Sequence, residues 1–194
     1  MPLVFRRTID LPRHEHGGFD HGDVYLASGR VYIAHTATGC IEVVDGERGL
    51  HVATVPGYPE ASGVLCAQDD ALLFAAARGA GKVGVIDAAM GRSLGEIAVG
   101  PKPNGLAWDA RRKRLLVADV QDYRARLLDV DTGDTIAAVE LPGRPRWCVY
   151  DERRDRFLVN IREPACIAVL GAETFAEVAP IPLSSVGPHG LDLD

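Results

Sequence analysis

The sequence has no apolar segment long enough to cross a membrane and no secretion signal at its start. No run approaches the roughly 18 apolar residues of a membrane span. The opening MPLVFRRTIDLP has two arginines where a signal peptide has its apolar core. The four cysteines, Cys40, Cys66, Cys148 and Cys166, include no CxxC spacing. We therefore predict free, buried thiols in a reducing compartment and a cytoplasmic location.

Several signatures of catalysis and of nucleic-acid binding are also missing. The chain contains no GxSxG segment, which a serine-hydrolase elbow requires. The stretch RGAGKVG (78–84) lacks the full GxxxxGK[ST] spacing of a phosphate-binding loop, and no helical pattern follows it. A formal net charge of −6 gives no reason to expect nucleic acid or an anionic membrane surface as a partner. The basic clusters at 110–114 and 152–156 are therefore predicted to be solvated turns.

What the sequence does contain is a repeat with a period of 42 residues. Asp45, Asp87 and Asp129 follow apolar runs at this interval, and Gly171 takes the fourth position. Two further anchors agree: YPEASGV, KPNGLAW, RPRWCVY and GPHGLDL, and the runs VYIAH, LLFAA, LLVAD and FLVNI. Each unit has four short runs rich in Val, Ile and Leu between turn residues, which predicts strands. Four strands per unit of this length are typical of a blade of an all-β propeller.

The strands of each unit are labelled A to D from the central channel outward, and they divide the chain. We predict an N-terminal closing strand at 1–12, blades at 13–56, 57–99, 100–142 and 143–186, and the start of a fifth blade at 187–194. Gly49, Gly91 and Gly133 are predicted to have positive φ in the turns between strands C and D. The two ends favour an incomplete ring whose unpaired edges self-associate. An open crescent, a four-blade ring and a ring completed by two chains are the alternatives.

The stretch VGVIDAAMGRSLGEIAVGPKPNGLAWDARRKRLLVAD (83–119) resembles the YVTN-type, YncE-like β-propeller repeat, which is WD40-like in architecture. The shared features are a "v-ID-tG" turn, a "vG-P-g-a" connection and an "lyVa" strand, and the resemblance covers essentially the whole chain. It implies a seven-bladed ring of roughly 300 residues, of which this chain would be the first four blades and a little more. Relatives include binding proteins, lactone hydrolases and dehydrogenase subunits, so the resemblance leaves the function open.

The loops between strands D and A and between strands B and C share one face of a propeller, around the mouth of the channel. The residues predicted to bind a ligand on this face are His21, Glu60, Asn104, Arg146 and His189 from the first loops and His35, Asp119 and Arg162 from the second. His21 and His189 fall at near-equivalent starts of strand A, so both are expected to face the mouth. This set predicts a non-enzymatic scaffold that binds a small molecule or a protein.

The segment RHEHGGFDHGD (13–23) leaves three interpretations. His14, His16 and His21 form a candidate site for a divalent metal ion, although their spacing matches no standard zinc pattern. A histidine beside a carboxylate such as Asp20 would instead supply the general base of a hydrolase. The alternative to a binding scaffold is accordingly a lactonase-like small-molecule hydrolase with a divalent metal ion at the channel mouth. The third interpretation is a polar loop that satisfies its own backbone and lines a mouth open to ligands, and the binding scaffold depends on it.

Overall fold

The structure is a computed structural model that describes residues 4–13 and 17–193. Across these ranges it contains four antiparallel sheets of four strands, and each sheet keeps the order of the chain. The first sheet comprises β1 (Phe19–Tyr25), β2 (Arg30–His35), β3 (Cys40–Asp45) and β4 (Leu50–Pro56), and the second comprises β5 (Ala61–Ala67), β6 (Leu72–Ala77), β7 (Lys82–Asp87) and β8 (Arg92–Ala98). The third comprises β9 (Pro103–Asp109), β10 (Arg114–Asp119), β11 (Arg124–Asp129) and β12 (Thr135–Glu140), and the fourth comprises β13 (Pro145–Asp151), β14 (Arg156–Ile161), β15 (Cys166–Gly171) and β16 (Glu177–Pro182).

Each sheet coincides with one repeat unit, so the predicted all-β blade architecture is confirmed. We call the sheets blades 1 to 4. Two short 3₁₀ turns, Gln68–Asp70 and Glu152–Arg154, connect strands A and B in blades 2 and 4. In the described ranges, no helix has the length and apolar character needed to span a bilayer.

The repeated aspartate marks the turn between strands C and D. In blade 1 the amide of Gly49 donates to the carbonyl of Asp45 at 2.7 Å. Gly49, Gly91 and Gly133 have φ values of 66°, 69° and 78°, which confirms the predicted positive φ. In blade 4 the same position is Phe175, which also has a positive φ of 50° although it carries a side chain. The turn geometry is therefore kept where the sequence pattern is lost.

The hydrophobic core lies between neighbouring blades. Tyr32 belongs to the cluster between blades 1 and 2, Phe74 and Leu115 to the cluster between blades 2 and 3, and Phe157 to the cluster between blades 3 and 4. All four cysteines are free and buried, as predicted. Because each sheet is covered by the next one, its strands carry apolar side chains on both faces, which explains the nearly continuous apolar runs.

The innermost strands of blades 2, 3 and 4 approach one another where two of them have glycine. A Cβ atom at Gly63 would lie 2.0 Å from the carbonyl oxygen of Asn104, and one at Gly105 would lie 2.2 Å from that of Arg146. Only glycine fits these positions without a displacement of the neighbouring strand. The close approach brings the loops before β5, β9 and β13 together on one face.

The two ends of the chain carry no strand in the described residues. Residues 4–12 belong to the predicted closing strand and residues 187–193 to the predicted start of a fifth blade. Both predictions need a further blade beside them, so they stay predictions. A closing strand D needs a free strand C beside it, and the strand C of every described blade already pairs with its own strand D. At the other end, the carbonyl of Gly190 accepts a hydrogen bond of 2.8 Å from Asn160 of blade 4.

Candidate functional site at the channel mouth

One repeat position brings aromatic side chains of different blades together at the mouth. His21, Gly63, Gly105, Trp147 and His189 follow one another at intervals of 42 residues. The ring of His21 stacks on Trp147 with centroids 4.2 Å apart and on His189 with centroids 5.3 Å apart. The two glycines add no side chain. The rings of His21 from blade 1, Trp147 from blade 4 and His189 from the segment after blade 4 therefore form one stack.

The surroundings of His21 disfavour its protonation. Burial lowers its pKa below the ordinary value of 6.5, and the charges of Arg146 and Arg78 and the neighbouring His189 lower it further, while Asp20 opposes this. Its Nε2 atom lies 3.4 Å from a carboxylate oxygen of Asp20. Among the described residues, this buried nitrogen has no partner in hydrogen-bond geometry. The described residues therefore leave one polar atom of His21 without a hydrogen bond.

Arg78 connects three blades at the mouth. Its Nη1 donates to Oδ1 of the buried Asn104 at 3.0 Å, and its other nitrogens lie 3.6 Å from Asp20 and 3.7 Å from Glu60. Lys102 in turn donates to both oxygens of Glu60, at 2.7 and 2.8 Å. Glu60 and Asn104, both predicted to bind a ligand, thus hold two basic side chains in place.

Arg146 lies next to this network and is surrounded by more positive than negative charge. Burial lowers its pKa, and the charges of Arg144, Arg162 and Arg78 lower it further, opposed by Asp20. Within the described part of the chain, no carboxylate lies within 4.0 Å of the guanidinium groups of Arg144, Arg146 or Arg162. The mouth therefore carries positive charge that its own carboxylates do not neutralise.

Two cavities open beside these side chains. The smaller has a volume of about 370 Å³ and is lined by Arg78, Lys102, Arg144, Glu60 and neighbouring residues. The larger has a volume of about 900 Å³ and runs between the innermost strands, and His21 and Trp147 line its end at the mouth. We call the following residues the mouth cluster: Asp20, His21, Glu60, Arg78, Lys102, Asn104, Arg144, Arg146, Trp147, Arg162 and His189.

Two predicted residues are not available at the mouth. Asp119 is buried, and its carboxylate accepts hydrogen bonds from the amides of Lys102 at 2.8 Å and Gln121 at 2.9 Å, so it shapes the loops themselves. His35 lies at the end of β2 but is buried in blade 1, where its Nδ1 is 2.9 Å from Glu42. His14 and His16, which completed the predicted metal site, lie outside the described residues.

The mouth cluster also contains residues that the prediction left out of the ligand-binding set. Arg78, Lys102 and Arg144 lie in the same loops as the predicted residues, and Trp147 occupies the repeat position of His21 and His189. The repeat thus carried the necessary signal. Lys102 and Arg144 stand one and two periods after Glu60, and this equivalence in the repeat is the signal that could have found them.

The comparisons with known proteins bear on the fold. No family model and no curated protein sequence matches the chain. The structure is similar to Kuenenia stuttgartiensis hydrazine synthase, with a TM-score of 0.76 and 15% identity over 89% of this chain and 51% of that one. It is also similar to the WD40 repeats of RRP9, with a TM-score of 0.74 and 11% identity over 86% of this chain and 52% of that one.

The chain spans about half the length of both structures, and identities this low show the fold alone. The fold is that of a β-propeller, with four blades in the described ranges. The resemblance to YVTN-type repeats has no matching family model and stays a prediction.

Proposed function

We propose that the protein is a β-propeller binding scaffold that recognises the anionic group of a small-molecule ligand at the channel mouth. The observation that carries this proposal is the electrostatic environment of Arg146. Burial and the charges of three neighbouring arginines lower its pKa, and no carboxylate of the described residues lies within 4.0 Å of its guanidinium group. A carboxylate or phosphate group of a ligand would supply the missing negative charge.

Guanidinium groups suit this role because their planar donors match the oxygens of a carboxylate or phosphate in pairs. Arg78 is already oriented by Asn104 and Asp20, and Lys102 by Glu60. Side chains held in place before binding lose little conformational entropy when the ligand arrives. The network therefore favours binding at a preformed site.

The cavities favour a small molecule over a protein surface. The channel cavity of about 900 Å³ lies in the size range of roughly 300–1,000 Å³ that is usual for ligand pockets. Its end at the mouth carries the stacked rings of His21 and Trp147, against which a flat ligand group would pack. We expect the anionic group in the smaller cavity, which Arg78, Lys102 and Arg144 line, and a flat group of the ligand against the stacked rings.

A second candidate function, a lactonase-like hydrolase with a divalent metal ion, rests on one observation. Asp20, His21 and His189 each offer a ligand atom, and these atoms lie within 4.8 Å of one another. Arg146 and Arg78 act on the same histidine, and their positive charges oppose a cation there. For this reason the anion-binding scaffold is the stronger proposal.

The test is isothermal titration of the full chain with inorganic phosphate, citrate and phenyl phosphate. Because a hydrogen bond to a charged group contributes about 1.5–3 kcal/mol, we expect Arg146→Glu to weaken binding by roughly tenfold or more. Arg153→Glu is the matched control, because it makes the same charge change on an exposed residue of the opposite face. Its affinity should equal that of the wild type.

Three outcomes would count against the proposal. The first is that none of the three anions binds, and the second is that Arg153→Glu weakens binding as much as Arg146→Glu. The third is stoichiometric Mn²⁺ or Zn²⁺ that His189→Ala removes, which would favour the hydrolase. Binding of an acidic protein, with none of the small anions, would keep the scaffold but overturn its ligand class.

A further inference from the structure

A second group of chemically active side chains lies inside blade 1, on the face directed away from blade 2. Sheet register brings its members together: His35 at the end of β2 pairs with Cys40 at the start of β3, and Glu42 follows two residues later on the same face. Thr54 of β4 pairs with Glu42, and His51 lies nearby on the same strand. We call His35, Cys40, Glu42 and His51 the blade-1 cluster.

Glu42 is the centre of this cluster. Its Oε1 is 2.9 Å from Nδ1 of His35 and 3.4 Å from Sγ of Cys40, and its Oε2 is 2.8 Å from Nε2 of His51. Oε2 also accepts a hydrogen bond of 2.6 Å from Thr54. Glu42, His35 and Cys40 have relative exposures of 0%, 1% and 4%, whereas the side chain of His51 is 23% exposed. The buried side chains of the blade-1 cluster are therefore connected to solvent through His51.

The same positions of blade 3 show what the blade-1 cluster lacks. Two repeat periods after His35 and Glu42 stand Asp119 and Arg126, and their charged groups lie 3.7 Å apart. Blade 3 thus contains both signs of charge at this place. Among the described residues, no lysine or arginine forms an ion pair with Glu42, whose ion-pair partners are His35 and His51. Two imidazole groups therefore stand beside the Glu42 carboxylate, whereas in blade 3 an arginine stands beside the carboxylate of Asp119.

Burial alone would raise the pKa of Glu42, but hydrogen bonds from His35, Thr54 and His51 outweigh it and lower that pKa to about 2. Burial raises the pKa of the Cys40 thiol, and Glu42 adds to this while Thr38 opposes it. An imidazole, a thiol and a carboxylate meet at one buried point of the sheet, and this geometry is what favours a divalent cation. One thiolate and one carboxylate neutralise its two charges, and the imidazoles bind in their neutral form.

Thiolate, imidazole and carboxylate are the three protein ligands of Zn²⁺. The donor atoms of His35, Cys40 and Glu42 all lie within 4.8 Å of one another. Zinc bonds of about 2.0–2.3 Å place tetrahedral ligand atoms roughly 3.2–3.8 Å apart, so small side-chain movements would form the site. We propose that the blade-1 cluster binds a divalent transition-metal ion of the zinc type through His35 Nδ1, Cys40 Sγ and a Glu42 oxygen. His51 Nε2 is 2.8 Å from Glu42 but not within 4.8 Å of every other donor, so it would become the fourth ligand after its side chain turns inward.

Binding would replace the hydrogen bonds around Glu42 by bonds to the metal ion. The thiol of Cys40 loses its proton to solvent, and the sulfur takes the metal ion in its place, so affinity should rise with pH. This site is independent of the proposed ligand at the channel mouth, because the two clusters share no residue. It would join strands β2, β3 and β4 of blade 1.

The experiment is a Co²⁺ titration of the metal-free full chain, followed by absorption spectroscopy and then by competition with Zn²⁺. We expect one equivalent of Co²⁺ to produce a thiolate-to-cobalt charge-transfer band in the near ultraviolet and visible bands of tetrahedral Co²⁺. Cys40→Ala should abolish the charge-transfer band. Cys148→Ala is the matched control, because Cys148 is an equally buried free cysteine in another cluster, and its band should match the wild type.

His51→Ala provides a variant with a smaller structural cost, since His51 is partly exposed. Loss of a partner outside the coordination sphere already costs about 10–100-fold in metal affinity, so loss of this ligand should cost at least about tenfold. His189→Ala, at the mouth, should leave the bands unchanged. Absence of a charge-transfer band in the wild type, or a band that survives Cys40→Ala, would overturn the proposal and leave a hydrogen-bonded carboxylate without a metal ion.

Discussion

The mouth cluster and the blade-1 cluster both combine histidines with a carboxylate, but their surroundings differ in charge and burial. At the mouth, His21 and Asp20 lie beside arginines that lower the pKa of the histidine. In blade 1, Glu42 is fully buried, and imidazole, thiol and hydroxyl groups surround it. The same residue types therefore suit an anionic ligand in one place and a metal ion in the other.

The comparison also shows how one repeat position takes different chemistry from blade to blade. The position of Glu42 is Gly84 in blade 2, where a Cβ atom would lie 2.3 Å from the ring of Tyr58, and Arg126 in blade 3. The backbone stays the same, because turn residues and apolar runs set it. Polar side chains on the faces of the blades change without disturbing it, which is how propellers carry unrelated functions.

The largest expected effect is a difference in unfolding free energy between two carboxylate substitutions, one of Glu42 in the blade-1 cluster and one of Glu60 in the mouth cluster. Glu42→Ala leaves the buried imidazole of His35 without its carboxylate, and we expect it to lower the free energy of unfolding by about 3 kcal/mol. Glu60→Ala removes an exposed ion pair with Lys102 and should cost less than about 1 kcal/mol. Urea unfolding in the presence of a chelator measures both. Equal losses would show that the carboxylate in blade 1 has no special structural role.

A medium effect is expected where the innermost strands meet. Gly63→Ala places a Cβ atom against the carbonyl of Asn104, and we expect a loss of about 1–3 kcal/mol from the displaced strand. Gly95→Ala on β8 is the control, because nothing lies within 4 Å of the added atom, and the change should stay within about 0.5 kcal/mol.

The same pair of variants tests whether the two clusters are separate. Anion affinity should fall in Gly63→Ala, because Asn104 orients Arg78, while the cobalt bands of blade 1 should not change. Loss of both signals together would mean that the strand contact at Gly63 supports both clusters.

The smallest effect concerns the pH dependence at the mouth. Because burial and the neighbouring arginines lower the pKa of His21, its protonation opposes folding. The neutral imidazole therefore contributes to the free energy of unfolding. This contribution is fully present above pH 6.5, the ordinary pKa, and is lost as the pH falls through the lowered pKa of the folded state. His21→Phe keeps a ring against Trp147 and removes the titration. Asp20, His189, Arg146 and Arg78 face this position and remain in both proteins.

We therefore expect the wild type to lose more stability than His21→Phe when urea unfolding is compared at about pH 7.5 and about pH 5.5. An identical loss in the two proteins would mean that His21 is solvated at the mouth. The histidines of the blade-1 cluster would then be more shielded from solvent than the histidine of the mouth cluster.

The elements that the sequence predicts best are those whose signal is local and repeated. The aspartate at the turn after strand C, the glycine four residues later and the four apolar runs recur every 42 residues, so the four-stranded blades followed from spacing. The loops around the mouth were assigned in the same way, which is why His21, Arg146 and His189 were named. The closing strand at the N-terminus stays a prediction, since a strand D pairs only where a strand C is free.

The sequence did not predict which residue of the neighbouring strand a polar side chain contacts. His35 was assigned to the mouth because it ends β2, but the pairing of β2 with β3 turns it toward Glu42. Cys40 and Glu42 lie on strand C and His51 on strand D of blade 1, and no spacing in the repeat marks them as a group. Only the register of β3 with β4, which shifts between Val43 and Val44, brings His51 to the carboxylate.

The sequence by itself thus determined the architecture, because backbone hydrogen bonds and apolar burial repeat with the same period as the residues that cause them. The tertiary structure alone decided which polar groups meet, because those contacts depend on strand register and on the packing of one blade against the next. It also decided their charge balance. An arginine beside His21 and an imidazole beside Glu42 make one cluster suited to anions and the other to a metal ion.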